Sequence, residues 1–249
     1  GRAQTFLPAV IIFFVLALPM LLFFKLPKPE YAENNISLKD EYKNYWAQLK
    51  ELVKSPSLGL FLLAYFFFND AILTAANNFP IYMEKVFNIS DNTKAMLMMG
   101  ILATSAIGAF CAGWVADKIG LKKTLMFVLG SWIIIFPSLG LVSDFKIFVV
   151  FTVLMGFMYG ATWAITRATM TALCPKEKLN FGFSFYTLAE RFSTLVGPLT
   201  WGLITSLFIG LGPTRYRIAI TVMAIFVAIG IFFLRKVEIK EVVNSSKIV

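Results

Sequence analysis

The chain of 249 residues contains no histidine, two cysteines and few charged side chains. Without histidine, His-based metal sites, His proton relays and Ser–His nucleophilic triads are excluded. Cys111 and Cys174 lie far apart and form no CxxC pair, which argues against a zinc or redox motif. The phosphate-binding pattern G-x-x-x-x-G-K-[ST] is also missing. We therefore predict no metal, no cofactor and no enzymatic activity.

Charged residues make up 15% of the chain, whereas apolar residues make up 58% and the mean hydropathy is +0.75. A soluble domain is about 25% charged and about 45–50% apolar. The composition thus predicts an integral, multi-pass membrane protein with the lipid bilayer as its partner. In a soluble protein a net charge of +9 would suggest nucleic acid. Here we attribute it to basic loops and predict no nucleic-acid partner.

Seven apolar runs approach or exceed the roughly 20 residues that a helix needs to cross a bilayer. They do not alternate in short segments as the strands of a membrane barrel do, so we predict an all-α polytopic helix bundle. The predicted spans are 8–26, 57–82, 93–116, 122–142, 146–172, 181–210 and 214–234.

The spacing of these runs predicts the domain organisation. Residues 1–26 form a single transmembrane helix, and 27–56 form a cytoplasmic linker with an amphipathic helix. Residues 57–235 form a six-helix transmembrane half, and 236–249 form a cytoplasmic tail. One span, a long basic loop and six closely connected spans together resemble the back part of a larger protein.

The loop between the third and fourth spans carries a family resemblance. It reads Gly113-Trp114-Val115-Ala116-Asp117-Lys118-Ile119-Gly120-Leu121-Lys122-Lys123. This resembles the G-x-x-x-D-[RK]-x-G-[RK]-[RK] loop of the major facilitator superfamily, with Leu121 in place of the first basic residue after the second glycine. The resemblance implies a conformational gate at the cytoplasmic surface. Its candidate residues are Gly113, Asp117, Gly120, Lys122 and Lys123. We add Arg167 as the predicted partner of Asp117, because both residues lie at the cytoplasmic end of their spans.

Further segments resemble the vacuole effluxer-like branch of this superfamily, which is related to autophagy-associated amino-acid exporters. They include Tyr65–Ala71, Ala164–Thr169 and Gly197–Leu203; Glu190 stands where that branch has a glycine. The resemblance covers about residues 4–235 and implies the sixth to twelfth helices of a twelve-helix carrier. It further implies a small solute such as an amino acid, and a missing N-terminal transporter half as a partner.

Polar residues inside the spans are candidate binding or coupling groups, because they are costly in lipid. Asp70 lies near the centre of its span, with Asn69 beside it and Thr74, Asn77 and Asn78 following at helical spacing. A buried carboxyl group favours its neutral form and can therefore carry a proton. The alternative is a structural hydrogen-bonded cluster that joins helices.

Two further sets extend this list. Tyr159 and Thr162 lie on one face of the fifth span, and the adjacent Glu190 and Arg191 lie inside the sixth. Adjacent residues on a helix do not face each other, so Glu190 and Arg191 need different partners. We predict either an ion pair across helices or a contact with a charged solute.

The third span repeats small residues every four positions, at Gly100, Thr104, Gly108 and Ala112. This spacing permits close helix packing, either inside the bundle or in a dimer. Two other functions stay open on the sequence alone: a complete seven-helix receptor or sensor, and a membrane scaffold without transport.

Lys and Arg in the loops predict the orientation. If 27–56 is cytoplasmic, fifteen basic residues lie on that side and five on the other. The C-terminus is then cytoplasmic, and we expect the plasma (inner) membrane. In a cysteine-free background, single cysteines at Lys39 and Lys122 should be shielded from an impermeant thiol reagent in intact cells, whereas one at Lys146 should react. Labelling at position 122 from outside would reverse the topology.

Overall fold

The computed structural model describes residues 2–23 and 55–239, which belong to two separate units. The first contains α1, Arg2–Phe23, which overlaps most of the predicted span 8–26. Positions 24–26 of that span, the predicted linker over 27–54 and the tail from 240 lie outside the described residues.

The second unit is a bundle of helices without strands over residues 55–239, so the all-α prediction is confirmed. Five of its helices, α2, α3, α4, α5 and α8, are long and apolar enough to cross a membrane. Short 3₁₀ turns precede α6 at Lys176–Lys178 and α8 at Ile209–Leu211. The helices are α2 Pro56–Phe87, α3 Asp91–Ile119, α4 Leu121–Leu141, α5 Phe145–Leu173, α6 Leu179–Phe192, α7 Val196–Leu207 and α8 Thr214–Arg235.

The predicted span over 181–210 is not one unbroken helix, because the chain turns at 193–195 between α6 and α7. Pro198 lacks the N–H that a continuous helix would donate to the carbonyl of Thr194. The hydroxyls of Ser193 and Thr194 instead donate to the carbonyls of Glu190 and Arg191, at 2.8 and 2.7 Å. These bonds satisfy the last carbonyls of α6 and end the helix.

Short joints connect the other helices. Asp144 accepts hydrogen bonds from the backbone N–H groups of Lys146 and Ile147, at 2.8 and 3.0 Å, and so begins α5. Gly120 separates α3 from α4 with φ +92°, in the region where only glycine avoids strain. Such tight joints place consecutive helices side by side.

Helix α2 lies at the centre of the bundle and contacts all of α3, α5, α6, α7 and α8. Large aromatic side chains fill its surroundings, and Phe79 stacks with Tyr82 and Phe148 at centroid distances of 6.0 and 5.8 Å. The Tyr82 hydroxyl donates to the carbonyl of Leu139 at 2.5 Å, which ties α2 to the end of α4. These contacts hold the C-terminal half of α2 against α4 and α5.

Helices α3 and α5 approach through glycine. A Cβ atom on Gly108 would collide with the backbone carbonyl of Phe157, and one on Gly160 would collide with that of Ser105. The four-residue repeat in α3 thus serves packing inside the bundle, as one of the two predicted uses requires.

We expect Gly108→Ala to destabilise the protein by about 1–3 kcal/mol, because the added methyl forces the two backbones apart. The matched control is Gly100→Ala on the same helix, where a Cβ meets nothing within 4 Å. Thermal unfolding in detergent should show a lower midpoint for Gly108→Ala and an unchanged or higher one for Gly100→Ala. Equal midpoints for the two variants would contradict the close backbone contact.

Candidate functional site

Asp70 meets the break between α6 and α7. Its side chain is fully buried, and its Oδ2 accepts a hydrogen bond from the backbone N–H of Gly197 at 2.6 Å. Gly197 lies in the first turn of α7, where helix N–H groups have no partner within the helix. The carboxyl group of α2 therefore caps the start of α7.

Gly197 allows this approach because it has no side chain. A Cβ there would collide with the hydroxyl of Thr74 and stand 2.7 Å from Asp70 Oδ1. Both oxygens are buried and have no hydrogen-bond partner within the described residues. Asp70 Oδ1 and Thr74 Oγ1 therefore both lie next to Gly197 without a hydrogen-bond partner among these residues. Protonation of the Asp70 carboxyl group would change the hydrogen bonds that these two oxygens can form.

Asn69 holds the turn itself. Its Nδ2 donates to Ser193 Oγ at 2.7 Å, and Ser193 Oγ in turn donates to the carbonyl of Glu190 at 2.8 Å. Asn69 and Ser193 are 5% and 0% exposed. A buried bond of this kind fixes the turn to α2, because water cannot replace either partner.

One turn earlier on α2, Tyr65 reaches α6. Its hydroxyl donates to Glu190 Oε2 at 3.4 Å, and its ring stacks on Tyr186 with the centroids 4.3 Å apart. Glu190 therefore faces α2, and Arg191 lies exposed on another face of α6. The two residues have different surroundings, as their adjacency requires.

Two opposing effects act on the Asp70 carboxyl group. A charge buried in a membrane span is costly, which favours the neutral acid. The Gly197 N–H and the positive end of the α7 dipole favour the carboxylate. Because the two effects oppose each other, access of water to the break can change the protonation state.

The profile of the Major Facilitator Superfamily matches residues 71–248, most of the chain. The chain belongs to the Major Facilitator Superfamily. It is thus a multi-pass integral membrane protein of a transporter family. The resemblance found in the loop after α3 is confirmed.

Several relatives in the superfamily place the chain near one branch. Autophagy-related protein 22 of Candida glabrata is 23% identical over 184 residues, which cover 69% of this chain and 34% of that protein. The protein of the same name from Saccharomyces cerevisiae S288c is 25% identical over 184 residues, covering 66% and 35%. An uncharacterized protein of Aquifex aeolicus is 25% identical over 231 residues, covering 92% and 56%. The chain resembles the autophagy-related protein 22 branch and spans about a third to just over a half of these relatives' length.

Other predicted residues lie away from Asp70. Asn77 and Tyr159 line a cavity of about 240 Å³ between α2, α3, α4 and α5. Asn78 donates to the carbonyl of Thr74 at 2.9 Å. Thr162 accepts from Trp132 Nε1 at 2.9 Å and so joins α4 to α5. The structure therefore places Asp70 and Thr74 at the start of α7, and Asn77 and Tyr159 at the cavity.

The superfamily loop is arranged differently from the predicted pairing. Asp117 and Arg167 are both exposed and form no ion pair within 4.0 Å among the described residues. The Arg167 guanidinium instead lies 5.4 Å from the centre of the Trp163 ring. The predicted contact is not formed in this structure, because Arg167 packs along its own helix.

Lys122 connects the loop to the end of the last helix. Its ammonium group donates to the carbonyls of Arg235 and Val237 at 2.9 and 2.6 Å. Lysine near a helix C-terminus satisfies unpaired carbonyls and complements the dipole. Of the other gate candidates, Gly113 has open space around it, and Lys123 is exposed.

Sequence reasoning missed four contributors to the site: Tyr65, Tyr186, Ser193 and Gly197. The signal for the last two was present. A Gly-Pro pair three residues after Ser-Thr, inside an apolar run, is typical of a turn or broken helix. The two tyrosines carry no such signal, since aromatic residues in a span are usually packing residues.

A double-mutant cycle tests whether the hydrogen bond between Asn69 and Ser193 stabilises the turn. Ser193→Ala should destabilise the protein by about 1–3 kcal/mol, because it leaves the buried Asn69 amide without its acceptor. Asn69→Ala should destabilise it by about 0.5–1.5 kcal/mol, because Ser193 loses one hydrogen bond but keeps the one to Glu190. Together they should show a coupling energy of about 0.5–3 kcal/mol. The matched control pairs Asn69→Ala with Ser184→Ala, because the exposed Ser184 hydroxyl bonds only to α6 at Asn180. Additive effects in both cycles would contradict a stabilising hydrogen bond between Asn69 and Ser193.

Proposed function

We propose that this chain is part of a secondary active transporter that moves a small solute, such as an amino acid, by alternating access with proton coupling at Asp70. The observation that carries this proposal is the buried Asp70 carboxyl at a helix break, with one oxygen bonded to Gly197 and the other unpartnered. Membership of the superfamily favours a carrier over a seven-helix receptor or a scaffold.

Helix breaks supply groups that a continuous helix keeps bonded to itself. In many carriers the ends of two half-helices meet near the bilayer midplane and bind the solute or the coupling ion. Here the N-terminus of α7 already holds the Asp70 carboxyl group. A proton that binds at Oδ1 would give this oxygen a donor beside Thr74.

The cycle follows from this arrangement. When the break is closed to water, the neutral acid is favoured because a charge there is costly. When the break opens to water, the proton leaves, and the Gly197 N–H stabilises the remaining carboxylate. The turn at 193–195 is the hinge, since α2 holds α6 through Tyr65 and α7 through Asp70.

The loop after α3 is the proposed gate. Lys122 binds the end of α8, and the backbone N–H of Glu238 donates to Ser57 Oγ at 3.2 Å near the start of α2. A displacement of this loop therefore reaches both α8 and α2. Asp117 and Arg167 would approach each other only in another conformation of the carrier.

We propose that transport needs a second helix bundle, because the chain spans a third to about half the length of the relatives named above. Solute would then bind between the two bundles, as rocking of one against the other requires. We also propose that the C-terminus is cytoplasmic, as the basic loops indicate, and that the transporter lies in the plasma membrane.

Asp70→Asn tests the coupling. The amide still accepts a hydrogen bond from Gly197 but does not titrate, so we expect accumulation of leucine driven by a pH gradient to fall to background. Exchange of leucine across the membrane should persist. The measurement is uptake of labelled leucine into proteoliposomes that contain the complete transporter, including the proposed second bundle.

The matched control is Asp91→Asn, which changes an exposed acid at the start of α3 that pairs with Lys94. It should accumulate leucine as the unmodified transporter does. Normal accumulation by Asp70→Asn would make Asp70 a structural group and move the coupling elsewhere. Loss of exchange as well as accumulation would show that Asp70 serves folding or solute binding.

A further inference from the structure

An open groove of about 550 Å³ lies where the end of α4 meets the start of α8. Ser143, Thr214 and Arg217 line one end of it, and Ile218 and Val222 line it further along α8. Thr214 is the first residue of α8, and Val222 lies about 12 Å further along the helix axis. The groove is therefore polar where the helices end and mainly apolar toward the middle of the bundle.

Arg217 lines the groove with only part of its guanidinium group bound. Its Nη1 donates to the carbonyls of Gly140, at 3.1 Å, and Val142, and so holds the end of α4. Its Nε and Nη2 donate to no group among the described residues, and no carboxylate of these residues lies within 4.0 Å of it. The half-buried side chain thus keeps the N–H groups of Nε and Nη2 for a ligand.

The charges at this end of α4 and α8 favour an anion. Segment 140–146 carries Asp144 and Lys146, and segment 212–218 carries Arg215 and Arg217. The Asp144 carboxylate already accepts two backbone hydrogen bonds at the start of α5. Positive charge therefore exceeds negative charge around the groove, which raises the local concentration of anions.

The groove opens onto an apolar face of the bundle. Exposed apolar side chains repeat there every seven residues, at Phe127, Ile134 and Leu141 on α4 and at Ile225 and Phe232 on α8, and each is between 54% and 79% exposed. An apolar face of this extent on a membrane protein contacts acyl chains. Because Leu141 also lines the groove, a molecule bound there touches the lipid-facing side of both helices.

We propose that this groove binds one anionic phospholipid, with the phosphate on Arg217 and the hydroxyls of Ser143 and Thr214, and an acyl chain along Ile218 and Val222. The planar guanidinium group matches two oxygens of a phosphate. Both hydroxyls belong to exposed residues and can turn toward the phosphate. A zwitterionic lipid carries the same phosphate, but Arg217 repels its ammonium group.

Such a lipid would stabilise the joint between α4 and α8. It would contact Ser143 after α4 and Arg217 in α8, which Arg217 already links through its hydrogen bonds to the end of α4. A ligand that binds only the folded state raises the unfolding midpoint as its concentration rises. Dioleoylphosphatidylglycerol should therefore raise the thermal midpoint of the unmodified chain more than that of Ser143→Asp.

Four probes separate the contributions of charge, phosphate and acyl chain: dioleoylphosphatidylglycerol, dioleoylphosphatidylcholine, uncharged dioleoylglycerol and the deacylated headgroup glycerophosphoglycerol. The measurement is native mass spectrometry of the purified 249-residue chain in detergent, titrated with each probe. We expect one molecule of dioleoylphosphatidylglycerol to bind with a Kd at least about tenfold lower than that of any other probe.

Variants then locate the site. Arg217→Gln removes the cation, and Ser143→Asp adds a negative charge at an exposed position, so each should weaken binding of dioleoylphosphatidylglycerol by about tenfold or more. The matched control is Asn92→Asp, which adds the same charge at an exposed position at the start of α3 and should leave binding unchanged. If Arg217→Gln does not fold, Ser143→Asp and the groove-filling Val222→Trp decide the matter.

Equal affinity for the glycerol and choline lipids would overturn the proposal, as would unchanged binding by Ser143→Asp and Val222→Trp. Equal affinity for the deacylated headgroup would assign the groove to a free phosphate, and equal affinity for dioleoylglycerol would assign it to acyl chains alone. Either of these results also overturns an anionic phospholipid site. The assay requires no transport, so its outcome is independent of the proposed coupling at Asp70.

Discussion

The contact between the Asp70 carboxyl and the Gly197 N–H sets the arrangement of the helices around it. It requires that α7 begin beside the middle of α2, so α6 has to end before that point. It also requires a residue without a Cβ atom at position 197, because the space is filled by Asp70 and Thr74. A bulkier residue would move the start of α7 away from the acid and leave the carboxyl without its donor.

The other polar contacts of α2 follow from the same constraint. A turn inside a membrane protein exposes backbone groups that lipid does not satisfy, so they have to be paired within the protein. Tyr65, Asn69 and Asp70 meet α6, the turn and α7 in that order along one side of α2. The polar face of this helix thus compensates for the break opposite it. This explains why the hydrophobic bundle keeps Asn69, Asp70 and Ser193 buried beside the break.

The spans could be predicted from the sequence because length and hydropathy are local properties of the chain. The superfamily loop was visible for the same reason, and so was Asp70 as an acid inside an apolar span. The break was missed because a continuous apolar run over 181–210 outweighed the Gly-Pro signal. Asp117 and Arg167 were paired from their common end of the bundle, yet Arg167 packs on Trp163. Side-chain direction of this kind depends on neighbours from distant parts of the sequence, and so do the places of Tyr65 and Tyr186.

The glycine contacts between α3 and α5 affect how the bundle can deform. Because backbone meets backbone at Gly108 and Gly160, these two helices have no flexible side chains between them at these points to absorb sliding. Packed interfaces of this type change by discrete rearrangement rather than by continuous shear. Helices α3 and α5 should therefore move together as one rigid body. A change in the shape of the bundle should then fall outside this pair of helices.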